Sequence, residues 1–171
     1  MNKPETNYID MKELILVRHG KSSWDYDVRD VDRPLKERGI RDAHKIAANV
    51  APRLRDVDAV FSSPANRALH TCMILMREVG IPPDKLSIEK ELYDFSGNAV
   101  REFVHGVGDH LGKIMLFGHN HALTYLVNDW GSKYVDNVPT SGLAYLTFDV
   151  GKWSEVSFGN TEILVFPKQL K

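Results

Sequence analysis

The sequence predicts an α/β fold with a mostly parallel central sheet, flanking helices and C-terminal edge strands. Three observations carry this. Residues 14–17, 59–61 and 114–117 are short unbroken apolar runs, the pattern of strands buried on both faces. Segments with helical apolar spacing separate them, which is the order of a parallel sheet. Beyond Pro139 the pattern changes to further strand-like segments with a turn signal between them.

In chain order, residues 1–11 are polar and read as a flexible leader, and 12–171 as a single domain. Leu14-Ile15-Leu16-Val17 forms the first strand and stops at Arg18-His19-Gly20. Residues 21–33 make a long polar loop carrying Trp24 and Tyr26, and long loops in compact domains are often functional. Pro34 marks a helix start, with Leu35, Ile40, Ala43, Ile46, Ala47 and Val50 at helical spacing. Gly39 weakens that helix, and Pro52 is expected to end it or to follow its end closely.

Ala59-Val60-Phe61 is the second strand, and Ser62-Ser63-Pro64 reads as the start of a second helix. Leu69, Cys72, Met73, Met76 and Val79 form its apolar stripe, stopped by Gly80 and Pro82-Pro83. Residues 86–88 suggest a short strand and 91–98 a turn-rich connection. Val100, Phe103, Val104 and Val107 suggest another helix. Ile114-Met115-Leu116-Phe117 is the third apolar run and stops at Gly118-His119-Asn120, with a helix implied by Leu123, Leu126 and Val127. Residues 143–150 and 153–158 flank Gly151-Lys152 as a hairpin, and 163–166 reads as a last strand.

Composition narrows the function. Of 171 residues, 43% are hydrophobic and 26% charged, ordinary for a globular chain. Lys and Arg total 22 against 23 Asp and Glu, so no basic excess points to nucleic acid. No apolar run approaches the roughly 20 residues that span a bilayer. The leader has no apolar signal-peptide core, and Cys72 is the only cysteine. A cytoplasmic protein is expected.

The chemistry converges at strand ends. If the three apolar runs are parallel, Arg18-His19-Gly20, Ser62-Ser63-Pro64 and Gly118-His119-Asn120 meet at one side of the sheet, where open α/β sheets bind ligands. Arg67 joins them from the first turn of the second helix, whose free N–H groups also favour an anion. Two arginines can grip phosphate oxygens, and histidine can be nucleophile, base or cationic donor. One neutral histidine could attack phosphorus while a protonated one steadies the phosphoryl oxygens. Phosphoryl transfer needs positioning and charge neutralisation above all.

These residues resemble the histidine phosphatase superfamily, the phosphoglycerate-mutase-like proteins. Leu16-Val17-Arg18-His19-Gly20 is similar to the family signature, followed by Ser22, Trp24 and Arg33-Pro34-Leu35-Lys36-Glu37-Arg38-Gly39. Ser62-Ser63-Pro64-Ala65-Asn66-Arg67-Ala68 with Thr71 matches the second block, and Gly118-His119-Asn120 the third. The resemblance implies a three-layer fold and a metal-independent reaction without cofactor. His19 would become phosphohistidine, while Arg18, Arg67 and His119 would bind the phosphoryl group. Ser22 and Asp25 fall at positions near the phosphate in relatives. Position 25 is often asparagine there, which puts Asp25 in question. Asp94, in Glu91-Leu92-Tyr93-Asp94, stands where many relatives carry a glutamate general acid. It reads equally as a proton donor or as a loop-capping carboxylate.

Lys21 and the short chain resemble the SixA-type branch, which implies a phosphohistidine protein as partner; a phosphorylated small molecule is the alternative. A mutase is disfavoured by the chain's shortness. A non-catalytic phospho-ligand module is disfavoured because binding needs no nucleophile. His121 reads as a helix-start residue and Cys72 as core.

Overall fold

The computed structural model describes residues 11–170, so the leader, except for Met11, lies outside the described residues. Six strands form one sheet in the order β3-β2-β4-β1-β5-β6. They are β1 (Lys12–Arg18), β2 (Ala59–Ser62), β3 (Leu86–Ile88), β4 (Lys113–Gly118), β5 (Leu143–Phe148) and β6 (Asn160–Val165). The first four are mutually parallel. β5 runs antiparallel to β1, and β6 antiparallel to β5. The α/β class and its C-terminal antiparallel edge are therefore as expected.

Helices α1 (Glu37–Leu54) and α2 (Asn66–Val79) cover one face; α3 (Asn98–His105) and α4 (Ala122–Trp130) cover the other. The alternation of β1 explains its unbroken apolar run. Ile15 and Val17 pack with the α1–α2 layer, whereas Leu14 and Leu16 pack with the α3–α4 layer. Met115 and Phe117 divide from Ile114 and Leu116 in the same way along β4. Among the described residues, no helix is long and apolar enough to cross a membrane.

Several boundaries differ from the sequence expectation. The first helix begins at Glu37 because residues 34–36 are already paired. The Ser23 N–H donates to Pro34 O at 2.8 Å, the Lys36 N–H to Lys21 O at 2.8 Å, and Ser22 bridges Leu35. Pro52 lies inside α1 rather than ending it. It sits on the exposed side with Ala48, the residue whose carbonyl loses its N–H donor to the proline, while buried Leu54 anchors the last turn. Gly39 is buried within α1, and a Cβ there would lie 2.3 Å from Lys21 O. Its helix-weakening residue type is the cost of bringing α1 against the loop after β1.

Residues 153–158 are not the second strand of a hairpin. Trp153 is fully buried in a single 3₁₀ turn, with its indole donating to Leu111 O at 2.6 Å and its N–H to Asp109 Oδ1 at 2.9 Å. That anchorage holds the segment against the α3–α4 layer, and pairing with β5 passes to residues 160–165.

Candidate active site

The parallel strands set the site at their carboxyl ends. Arg18 ends β1 directly beside Gly118, the end of β4, and the His19 N–H donates to Gly118 O at 3.2 Å. The Ser63 N–H, just past β2, donates to Phe117 O at 3.0 Å. Three chain reversals thus meet, and the rings of His19 and His119 lie 5.1 Å apart. A cavity of about 300 Å³ opens over them, lined in part by Arg18, His19, Ser22, Arg67 and His119.

His19 is buried, and its Nδ1 is 2.8 Å from Gly20 O. A carbonyl only accepts, so Nδ1 carries the proton and Nε2 keeps its lone pair. Gly20 is fixed in turn: its N–H donates to Thr71 Oγ1 at 2.9 Å, and the Thr71 hydroxyl donates to Arg67 O at 2.7 Å. A Cβ on residue 20 would meet Gly39 O at 2.9 Å, so a side chain there would spread the loop. Burial lowers the His19 pKa to about 4; the Gly20 carbonyl opposes this, and Arg67, Arg18 and Arg33 add to it.

His119 is 1% exposed, with Nε2 2.8 Å from Ser63 Oγ and Nδ1 3.5 Å from Arg67 Nη2. Burial, then the proximity of His19 and Arg67, lowers its pKa to about 3. Burial and the neighbouring charges thus push both imidazoles toward the neutral form. The guanidinium groups around them supply the positive charge instead.

Arg18 donates through Nη1 to Val138 O at 3.0 Å, and Asn120 Nδ2 shares that acceptor at 3.1 Å. Burial, followed by the nearby Arg67 charge, pulls the Arg18 pKa down. Arg67, 2% exposed, donates to the main-chain O of Asp30 at 2.6 Å and to its Oδ2 at 2.9 Å. The Nε atoms of both arginines are buried without a hydrogen-bond partner among the described residues. Buried donors of this kind are costly when left unmet.

Ser22 reaches the site, where its Oγ accepts from Arg33 Nη2 at 2.6 Å. Asp25 is exposed and is not part of the cavity lining; its N–H donates to Ser23 Oγ at 3.0 Å. Asp94 is also outside the lining. Its carboxylate accepts from Ser96 N and Oγ and from Gly97 N, each at 3.0 Å, and from Val100 N at 3.1 Å. Burial would raise its pKa, but these donors outweigh it and hold the carboxyl below the usual range. The carboxylate thus ties the turn at Ser96 and Gly97 to Val100 in the first turn of α3.

Several neighbours were not singled out from sequence. Arg33 donates to Ser22 Oγ, to Ser23 O at 3.1 Å and to Asp30 Oδ1 at 3.1 Å, and stacks 3.3 Å from the Trp24 ring centre. Its position in the Arg-Pro-Leu motif was the available signal. Ser63 reads as a helix cap in sequence, yet α2 begins only at Asn66 and Ser63 Oγ faces His119. Tyr93 and Phe95 stand 5.3 and 5.0 Å from His119, carried there by buried Leu92 and the preceding 3₁₀ turn.

A larger groove, about 490 Å³, lies elsewhere, between Phe61 and α3. Its lining is apolar and acidic, including Phe103, Glu89 and Glu102, without histidine or arginine, so it does not suit phosphate. Among the described residues no group of three or more His, Cys, Asp or Glu side chains has metal-binding geometry.

The model of the histidine phosphatase superfamily (branch 1) matches residues 14–98, the span that carries Arg18, His19 and Arg67. An uncharacterised protein of Mycobacterium tuberculosis (strain CDC 1551 / Oshkosh) is 31% identical over 160 residues, covering 88% of this chain and 98% of the relative. The chain belongs to the histidine phosphatase superfamily. It is a histidine-dependent phosphatase. Among solved structures of the superfamily, the SixA protein of Agrobacterium tumefaciens, a proposed phosphohistidine phosphatase, is 26% identical with a TM-score of 0.68, over 79% of this chain and 90% of that one. The protein histidine phosphatase SixA complexed with tungstate aligns with a TM-score of 0.72 at 22% identity, over 92% and 98% of the two chains, which shows the shared fold. His119 lies beyond the matched span, and its place is given by the geometry of β4.

Proposed function

We propose that this protein hydrolyses phosphohistidine, with His19 as the covalent acceptor. The phosphoryl group docks against Arg18, Arg67 and His119. Nε2 of His19 forms a bond to phosphorus as the donor's P–N bond breaks, and the donor imidazole leaves. Water then attacks phosphorus, the His19 N–P bond breaks, and inorganic phosphate and free His19 result. No metal takes part in these steps.

The observation that carries the choice of donor is the engagement of Asp94. A sugar or nucleotide phosphate leaves as an alkoxide and needs a proton from the protein. Asp94 is tied to four donors with its pKa held down, which makes it a poor acid at neutral pH. A phosphorylated imidazole already protonated on its other nitrogen leaves neutral and needs no such donor. The exposed Trp24 and Phe95 beside the cavity suit a mouth that admits a protein side chain.

The test compares wild-type turnover of a phosphohistidine protein, an aryl phosphate and an alkyl sugar phosphate in the presence of chelator. Phosphohistidine turnover is expected to exceed alkyl phosphate turnover, with acid-labile phosphate trapped on His19. Undiminished turnover by His19→Ala would defeat the mechanism, and faster alkyl than phosphohistidine hydrolysis would defeat the substrate assignment and favour a small-molecule phosphomonoesterase.

A further inference from the structure

Asp30 places a carboxylate among the site's arginines. Its Oδ2 accepts from Arg67 Nη2 at 2.9 Å and from the Tyr93 hydroxyl, and its Oδ1 accepts from Arg33 Nη1 at 3.1 Å. These are the donors and the geometry that a phosphoryl oxygen would use, since carboxylate and phosphate share the guanidinium fork. Among the cavity-lining side chains it is the single carboxylate, beside Arg18, Lys21, Arg33 and Arg67.

We propose that the Asp30 carboxylate is an internal competitor for the phosphoryl group, yielding Arg67 Nη2 and Arg33 Nη1 when a phosphate docks and regaining them as it departs. The inference rests on the reading of this cavity as a phosphoryl site. A carboxylate and a phosphate dianion on one guanidinium nitrogen repel each other at close range, so they hold it in turn rather than together.

The two partners differ in their freedom to move. The Asp30 side chain is 42% exposed, on a 3₁₀ turn that follows the exposed residues 24–29, whereas the Arg67 side chain is 3% exposed. Each arginine also has contacts that do not involve the carboxylate. Arg67 Nη1 is held by the main-chain O of Asp30, and Arg33 by Ser22 Oγ, Ser23 O and the Trp24 face. Asp30 is therefore a residue that lowers affinity for dianionic phosphate, including the product, and so favours its release.

The test measures binding of inorganic phosphate and of tungstate by calorimetry at about pH 8 for wild type, Asp30→Asn and Tyr93→Phe. Removing the competing charge is expected to tighten binding about tenfold in Asp30→Asn. Tyr93→Phe, which takes away one donor that retains the carboxylate and leaves every arginine in place, is expected to tighten it severalfold. If Asp30→Asn does not fold, Tyr93→Phe decides. Binding by the wild type that is unchanged or weakened in the folded variants overturns the competitor and makes Asp30 a residue that merely positions Arg67. Absence of binding in all three proteins overturns the phosphoryl-site reading itself.

Discussion

The Nδ1 atom of His19 lies 2.8 Å from the carbonyl oxygen of Gly20, and this contact decides which nitrogen faces the cavity with a lone pair. A carbonyl cannot donate, so the proton is held on Nδ1. The Gly20 backbone is itself tied to α2 through Thr71.

The first prediction concerns that tautomer. Nitrogen NMR of the free protein at pH 7 should show His19 as the neutral Nδ1–H form, and the trapped intermediate should carry phosphorus on Nε2. Phosphorus on Nδ1 would contradict the geometry.

The second concerns pH and stability. His19 and His119 have pKa values lowered to about 4 and about 3 in the fold, with burial the leading cause for each. Unfolded histidine titrates near 6.5. Below that pH the unfolded chain takes up protons that the folded one refuses, so stability is greatest above about 6.5 and falls as pH falls. Between about pH 6.5 and 5 carboxylates contribute little. The slope there should approach about 1.4 kcal/mol per pH unit for each of the two histidines. Denaturant melts of wild type and a His19→Gln/His119→Gln double variant across this window provide the check. An equally steep loss in the double variant would show that other groups are responsible.

Gly39→Ala sets two effects against each other. Alanine is the better helix former by about 1 kcal/mol. The added Cβ, however, would stand 2.3 Å from Lys21 O and 2.8 Å from Lys21 N, both main-chain atoms. Forcing such a contact typically costs about 1–3 kcal/mol or more. The steric term should win, lowering the melting temperature and loosening the loop that carries His19. A rise in melting temperature would mean that this loop gives way freely.

Ser63→Ala should act on His119. The serine hydroxyl is the partner of a histidine nitrogen inside a buried site. Its loss leaves that nitrogen unmatched, at a cost of about 1–3 kcal/mol. Turnover should fall while Ser63→Thr, which restores a hydroxyl, recovers part of it. Equal losses in both variants would point to packing rather than to the hydrogen bond.

The sequence was most readable where one residue type has one dominant physical meaning. The apolar run of β1 requires cover on both faces, and it receives cover from two helical layers. The strand ends then bring Arg18, His19, Arg67 and His119 together. Legibility failed where a residue serves two purposes. Ser63 resembles a cap but faces a histidine, and Gly39 weakens its helix but admits a backbone. Trp153 suits a strand by propensity, yet its burial beside Leu111 takes the segment away from the sheet. Asp30 and Tyr93 lie 63 residues apart, and no local pattern announces their hydrogen bond.

The last prediction returns to leaving-group chemistry. If Asp94 is a cap, Asp94→Ala should remove acceptors from the N–H groups of Gly97 and Val100 and destabilise the fold by about 1 kcal/mol. Phosphohistidine turnover should then stay within about threefold of wild type, since a protonated imidazole needs no acid and a lost general acid typically costs about 10²–10⁴. An acid would behave differently. Its loss would leave the melting temperature nearly unchanged, slow alkyl phosphates by at least about a hundredfold and aryl phosphates by less, and remove the alkaline limb of kcat/KM. Measuring melting temperature and both turnovers on one preparation separates the two, because a cap moves the first and an acid moves the second.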